Sequence, residues 1–329
     1  MIQGLFTPSE VADLINAGNR LLLAGNPKLL AQLPAGDWIG GSTPYFVVYP
    51  KNRITSLDKI FVNQLPDFVT EIEIREYDET NVQNIFIHGI ANGFTTLIMP
   101  FASPVAIEYS LNATNYTGFA AHPVCGWLAG QPLEIITTEK SYTVSGHAPG
   151  VLSEKGIAMN VTLAENKYAE IHIFNPFKQS DSDVIMFEES GLKIKDAMIN
   201  GVKRNFTEYL QEINYNIQIP LVANYSGAMI NDTIVAIVGK EVLMSAPVFK
   251  NMEYRMGIID ENIVEPSFGF DSIIFSATCV GNFMQSHICD NYLKKMNGPV
   301  VFGEIAYQQV GHTTLYLTVD DVLTNNKLT

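Results

Sequence analysis

The sequence predicts an α/β protein, with α+β as the alternative: two packed halves of mixed, mostly β sheets with flanking helices. Two observations lead there. Short runs of β-branched and aromatic residues, punctuated by Gly, Pro and Asn, recur along the whole chain, while helical signatures are few and well capped. Near the end, Ile273-Ile274-Phe275 belongs to a continuous apolar run, the pattern of a strand covered on both faces.

The elements follow in order. Thr7-Pro8-Ser9-Glu10 is a capping box with Pro at the first helical position, and Val11, Leu14, Ile15 and Leu22 continue at helical spacing until Gly25 ends or kinks the helix. Strands are expected at 38–39, 45–49, 59–65 and 68–75, the last with Val69, Ile72 and Ile74 separated by charge. A helix over 81–90 should lead through Asn92-Gly93 to a buried strand at 95–99, and Ser103-Pro104 opens a helix to 113. Strands dominate 133–187, clearest at 157–163 and 168–174. A helix at 205–213 precedes strands at 219–223, 233–238 and 242–244. The last third reads as a strand at 272–276, a helix at 281–296 stopped by Asn297-Gly298-Pro299, and strands at 300–302 and 314–319. The pattern places a domain boundary near residue 200, giving parts 1–200 and 201–329.

Composition narrows the function. Twenty Lys and Arg against 34 Asp and Glu leave a net charge of −14, which argues against nucleic acid, whose phosphates need clustered cations. Charged residues are only 16% of the chain, below the roughly 25% of an average soluble domain, so self-association into a homo-oligomer is expected. The most apolar stretch, 97–107, is interrupted by Pro100, Ser103 and Pro104 and is too short to span a membrane. Glu10 and Asp13 near the start do not fit a signal peptide, and three cysteines (125, 279, 289) without CxxC spacing fit a reducing, cytoplasmic setting.

Candidate site residues cluster after strands. Ser276-Ala-Thr-Cys279-Val-Gly281-Asn282 sits between a buried strand and a helix, where α/β sheets bind ligands. Cys279 has three readings there: a buried packing residue, a ligand contact and, least favoured, a nucleophile. Phe302-Gly303-Glu304 follows the next strand, and if the two strands are neighbours Cys279 and Glu304 share one crevice. Glu304, flanked by apolar residues, either satisfies loop N–H groups or contacts a ligand. Earlier, Gly40-Gly41-Ser42 reads as a Gly-rich turn whose N–H groups could cradle an anion, though it lacks the Lys of a P-loop. His122 to Gly130 reads as a second turn, with Trp127 more consistent with core than with binding surface. The six histidines (88, 122, 147, 172, 287, 312) show no metal-ligand spacing, and no GxSxG elbow is present. Cys279…His287-Ile-Cys289 is compact, but one helical segment does not aim all three at one ion. A single axial histidine leaves no spacing signature, which keeps haem open as a cofactor.

The order of several C-terminal features resembles the FIST family of intracellular signal-transduction sensor domains, found in bacteria and in some eukaryotic F-box proteins. The features are Tyr209-Leu210, Pro220-Leu221, Phe275-Ser276…Cys279-x-Gly281, Pro299, Gly303-Glu304-Ile305 and Thr313-Thr314-Leu315, across about 203–319. Ile39-Gly40-Gly41-Ser42-Thr43 and Val124-Cys-Gly126-Trp-Leu-Ala-Gly130 resemble N-terminal turns of that family. Asn282 stands where the family usually has Arg, and Gly311-His312-Thr313 where it has Asn-Gln-Thr. The resemblance implies a small-molecule sensor, haem-binding in some members, that signals through a separate partner because little chain follows 319. The combined expectation is a stand-alone cytoplasmic small-molecule-binding sensor with no nucleic-acid or membrane partner. Its ligand lies in a crevice between halves walled by Gly40, Gly41, Ser42, Cys279, Asn282, Gly303 and Glu304. A homo-oligomeric assembly protein is the alternative.

Overall fold

The computed structural model describes residues 1–50, 52–225, 228–264, 266–285 and 293–322. It is more β-dominated than the sequence predicts, with 45% strand and 14% helix in several mixed sheets. Three strand–helix–strand units supply its parallel pairs. Leu21–Gly25 and Trp38–Ser42 flank the short helix Pro27–Leu30. Gly93–Pro100 and Val124–Ala129 flank Pro104–Asn112. Ile273–Cys279 and Gly298–Val301 flank Val280–Met284.

Each pair lies in a different sheet, one of five strands and two of six, and antiparallel strands complete all three. The strands of these pairs read as apolar runs because both of their faces are covered: every residue of Leu21–Gly25, Gly93–Pro100, Val124–Ala129 and Ile273–Cys279 is buried. A seven-stranded and a three-stranded antiparallel sheet, built mostly from residues 177–259, make up the rest. Residue 200, where a boundary was expected, is the tip of the hairpin Asp196–Ile199/Val202–Asn205. The sheet holding Ile273–Cys279 draws strands from both sides of it, pairing Gly298–Val301 with Tyr45–Val48.

Three local expectations are corrected. The first helix is Pro8–Asn16, capped by Thr7 as expected: Thr7 N–H donates to Glu10 Oε2 at 2.8 Å. It ends there and does not run on through Leu22, because Gly18 turns the chain with φ +81° and Leu21–Gly25 pairs on both sides as a central strand. The helix expected over 81–90 is one 3₁₀ turn, Val82–Asn84. Asp78 and Asn81 side chains capture nearby backbone N–H groups (Thr80 to Asp78 at 3.0 Å, Asp78 to Asn81 at 2.8 Å) and favour a turn over a helix. The His122–Gly130 turn is a buried central strand over Val124–Ala129. Its Gly126 has φ +149°, and a Cβ there would lie 1.8 Å from the Leu97 carbonyl oxygen, so only glycine fits the ladder. Trp127 is core as expected, stacked on Phe275 with centroids 5.2 Å apart.

The carboxyl ends of the three units are knitted together. Gly130 N–H donates to the Ser42 carbonyl (2.6 Å) and Thr43 Oγ1 to the Val300 carbonyl (2.6 Å). Phe302 N–H donates to Leu128 O (3.1 Å), and Leu128 N–H to Gly303 O (2.8 Å). Parallel strands present their loops at this end, so the loops of all three units meet there. Among the described residues no helix is long and apolar enough to cross a membrane.

Candidate functional site

A cavity of about 150 Å³ lies beyond the carboxyl ends of Ile273–Cys279 and Gly298–Val301. Its walls are largely apolar, from Leu133, Ile217, Ile234, Val235, Val280, Met284 and Phe302, and its polar groups are Thr233, Ser245, Cys279 and Gln218. Thr233 stands where the chain leaves the strand Ala228–Asp232 of the seven-stranded sheet and enters Ile234–Val238 of the three-stranded one. Thr233 N–H donates to Ser245 Oγ at 3.2 Å, and Ser245 N–H returns a bond to the Thr233 carbonyl at 2.7 Å. The switch between sheets thus holds both hydroxyls at the cavity.

Behind these hydroxyls sits a buried polar layer. Thr233 Oγ1 lies 2.6 Å from His312 Nδ1. The His312 ring packs against Gly281, where a Cβ would stand 2.1 Å from Nε2, and it meets Phe177 edge-on with centroids 5.2 Å apart. Burial pushes the imidazole down to about 3, with backbone hydrogen bonds at Gly281 and Gln218 opposing, so the ring is neutral at physiological pH. Burial raises the Cys279 thiol to about 12, and the neighbouring Glu304 carboxyl adds to the rise. Glu304 is fully buried: its Oε2 accepts from Thr313 Oγ1 at 2.9 Å, and its Oε1 has no partner among the described residues. Burial lifts this acid well above the usual carboxylate range, so it is held protonated. Asp232 is next to the same wall. Its Oδ1 accepts from Ser245 Oγ (3.3 Å) and Ala246 N–H (3.1 Å), its Oδ2 has no partner among the described residues, and burial raises it to about 7.

The conditional expectation for Cys279 and Glu304 holds in part. The strand ending at Cys279 and the one preceding Glu304 are parallel neighbours, with Cys279 opposite Val301, but Glu304 itself opens the strand Glu304–Ala306 of another sheet and lies behind the wall rather than in it. Asn282 also faces away: its Nδ2 donates to the Thr313 carbonyl at 2.9 Å and to Thr278 Oγ1 at 3.3 Å, fastening the short helix to the sheet. Gly303 gives its carbonyl to Leu128 and contributes no wall. The Gly40-Gly41-Ser42 turn is corrected outright. It is the strand Trp38–Ser42, with Leu21–Gly25 on one side and Thr143–Ser145 on the other. Ser42 N–H donates to Tyr142 O (3.0 Å) and Ser42 Oγ accepts from Tyr142 N–H (3.1 Å), so the expected cradle of free N–H groups does not form.

Thr233, Ser245 and His312 are site residues that sequence reasoning missed. The hairpin Ile234–Val238/Glu241–Val248 holds the first two together, tertiary packing brings them to the cavity, and no local pattern marks them. His312 stood out only as a departure within Gly311-His312-Thr313. Cys289 and His287, together with part of the helix expected over 281–296, lie outside the described residues; the described helix is Val280–Met284. Among the described residues no group of three or more His, Cys, Asp or Glu could hold a metal ion.

Fold and site together define a β-rich α/β protein with a small, uncharged cavity at the carboxyl ends of a parallel strand pair. Over residues 6–320 the chain matches the model of a family of unknown function, DUF6976, and it belongs to that family. This corrects the FIST resemblance: the family that spans the chain is a different one, and the ordered C-terminal features are strand ends, glycine turns and a buried cysteine that unrelated sheets also need. No curated protein and no solved structure matches the chain.

Proposed function

We propose that the protein is a binding module that takes a small, uncharged, largely apolar molecule carrying one hydrogen-bonding group. The cavity chemistry carries this reading. Seven apolar side chains surround polar groups that are all uncharged, two hydroxyls, a thiol and the Gln218 amide, and no Lys, Arg, Asp or Glu is among the lining residues. An anion would enter without a cation to meet it, with the buried acids Glu304 and Asp232 behind the wall. Size agrees: apolar cavities of about 150 Å³ admit benzene-sized molecules, and a porphyrin is far larger.

The thiol is better read as wall than as nucleophile. With its pKa pushed up to about 12, on the order of 10⁻⁵ of it is thiolate at pH 7.

Ligand-observed NMR with phenol, toluene and benzoate tests it. Phenol and toluene should give saturation transfer and benzoate none. Val235→Phe, which fills the cavity from a half-buried wall position, should abolish the transfer with the circular dichroism spectrum retained. Equal transfer to all three probes, or transfer unchanged in the folded variant, would overturn the reading.

A further inference from the structure

The parallel pair of the second unit, Gly93–Pro100 and Val124–Ala129, also ends at an open space, a groove of about 790 Å³. It runs between the start of the helix Pro104–Asn112 and the three-stranded sheet. Phe101, Ile136 and Val242 are buried along its floor, and Ile107, Leu192 and Leu243 form half-buried sides. Its exposed rim carries Thr137, Thr138, Lys193 and Glu241, with Ala102 and Val238 beside them. The segment 131–139 supplies Ile136 and Thr137 here and Leu133 to the smaller cavity, so the two spaces share one stretch of chain as a wall.

From this geometry we propose a second ligand site, distinct from the small cavity, for an uncharged amphiphile: a single apolar chain ending in a hydroxyl-type head. An apolar floor with apolar sides is matched by a methylene chain, and its volume is in the range of sites for ordinary small-molecule ligands (about 300–1,000 Å³). The rim selects the head. Lys193 and Glu241 both line the groove with opposite signs, so a charged head of either sign faces a like charge as well as the opposite one. A neutral hydroxyl is served by the Thr137 and Thr138 hydroxyls without a charge conflict. The net charge of −14 further disfavours anions.

The test is displacement of an uncharged fluorescent naphthylamine probe by 1-decanol, decanoate and decylammonium. 1-Decanol should displace it saturably and at least about tenfold more tightly than either charged analogue. Ile107→Trp and Leu192→Trp, which narrow the groove from opposite sides, should each weaken 1-decanol by about tenfold or more. Val235→Phe, which blocks only the small cavity, should leave it unchanged, and that separates failure of this site from failure of the first. The inference is overturned if displacement is not saturable or if the charged chains bind as well. It is equally overturned if either folded tryptophan variant binds like the wild type, or if Val235→Phe removes the binding.

Discussion

Replacing Asp232 by Asn should change how stability depends on pH. In the folded protein burial raises this carboxyl from 3.8 to about 7. Below pH 4 both states hold the proton and the side chain contributes no pH dependence. From pH 4 to 7 the unfolded chain ionises while the folded one keeps its proton, so stability falls by about 1.4 kcal/mol per pH unit. Above 7 the loss is complete, about 4 kcal/mol from the difference between 3.8 and 7. Tyr215 and Tyr254 are the ionisable neighbours, and burial raises both phenols further above their ordinary range, so neither titrates in this window. Asn keeps the oxygen that accepts from Ser245 and Ala246 and places an unpartnered amide where Oδ2 now lies, a cost of about 1–3 kcal/mol at every pH. The stability difference should therefore move in the variant's favour by about 2.7 kcal/mol between pH 5 and 7, leaving the variant the more stable protein at pH 8. Urea unfolding followed by the fluorescence of Trp38 and Trp127, at pH 5, 6, 7 and 8, measures the difference between the two proteins, in which the contribution of Glu304 cancels. Parallel stability curves for wild type and variant would refute the reasoning.

Two further expectations concern the cavity. Gly281→Ala puts a methyl group 2.1 Å from His312 Nε2, and the ring is held between Thr233 and Phe177, so it should cost about 1–3 kcal/mol and lower the thermal midpoint. Calorimetry checks this, and an unchanged midpoint would mean the ring has room to move. Iodoacetamide at pH 7 should label Cys279 far more slowly than free cysteine, because burial holds its thiol near 12. Peptide mass mapping reads the rate, and labelling faster than the free amino acid would restore the nucleophile reading.

Legibility of the fold followed the range of the interactions. Thr7 to Glu10 and Ser103 to Pro104 are local signals that compete with nothing, and both helices start where those residues say. The strand Ile273–Cys279 was readable because cover on both faces leaves a continuous apolar run. The continuation of the strand expected at 38–39 through Ser42, and all of Val124–Ala129, were hidden for a physical reason. Their glycines pack so tightly that side chains would collide: a Cβ on Gly41 would stand 2.7 Å from Ile98. Glycine for close approach and glycine for a turn look alike in one sequence. The site was half legible. Cys279 was found because it ends a recognisable strand, whereas Thr233 and Ser245 come from other sheets and meet it only through tertiary packing, which no local pattern encodes.

The distribution of buried polar groups bears on where the function lies. Asp232 Oδ2 and Glu304 Oε1 are both without partners among the described residues, and both belong to the layer behind one cavity. Leaving such an oxygen unpaired costs about 1–3 kcal/mol, and an apolar replacement of similar shape would remove that cost. The strand ends of the other two units are closed by backbone bonds instead: Gly130 N–H donates to the Ser42 carbonyl and Leu128 N–H to the Gly303 carbonyl. A sheet that only had to be stable could close the third unit in the same way. Retaining two buried acids, a neutral imidazole and a thiol at this one end instead supports a role for their hydrogen-bonding capacity. The uncharged wall in front of them fixes the kind of molecule that could use it, one small enough to enter and neutral enough not to be repelled.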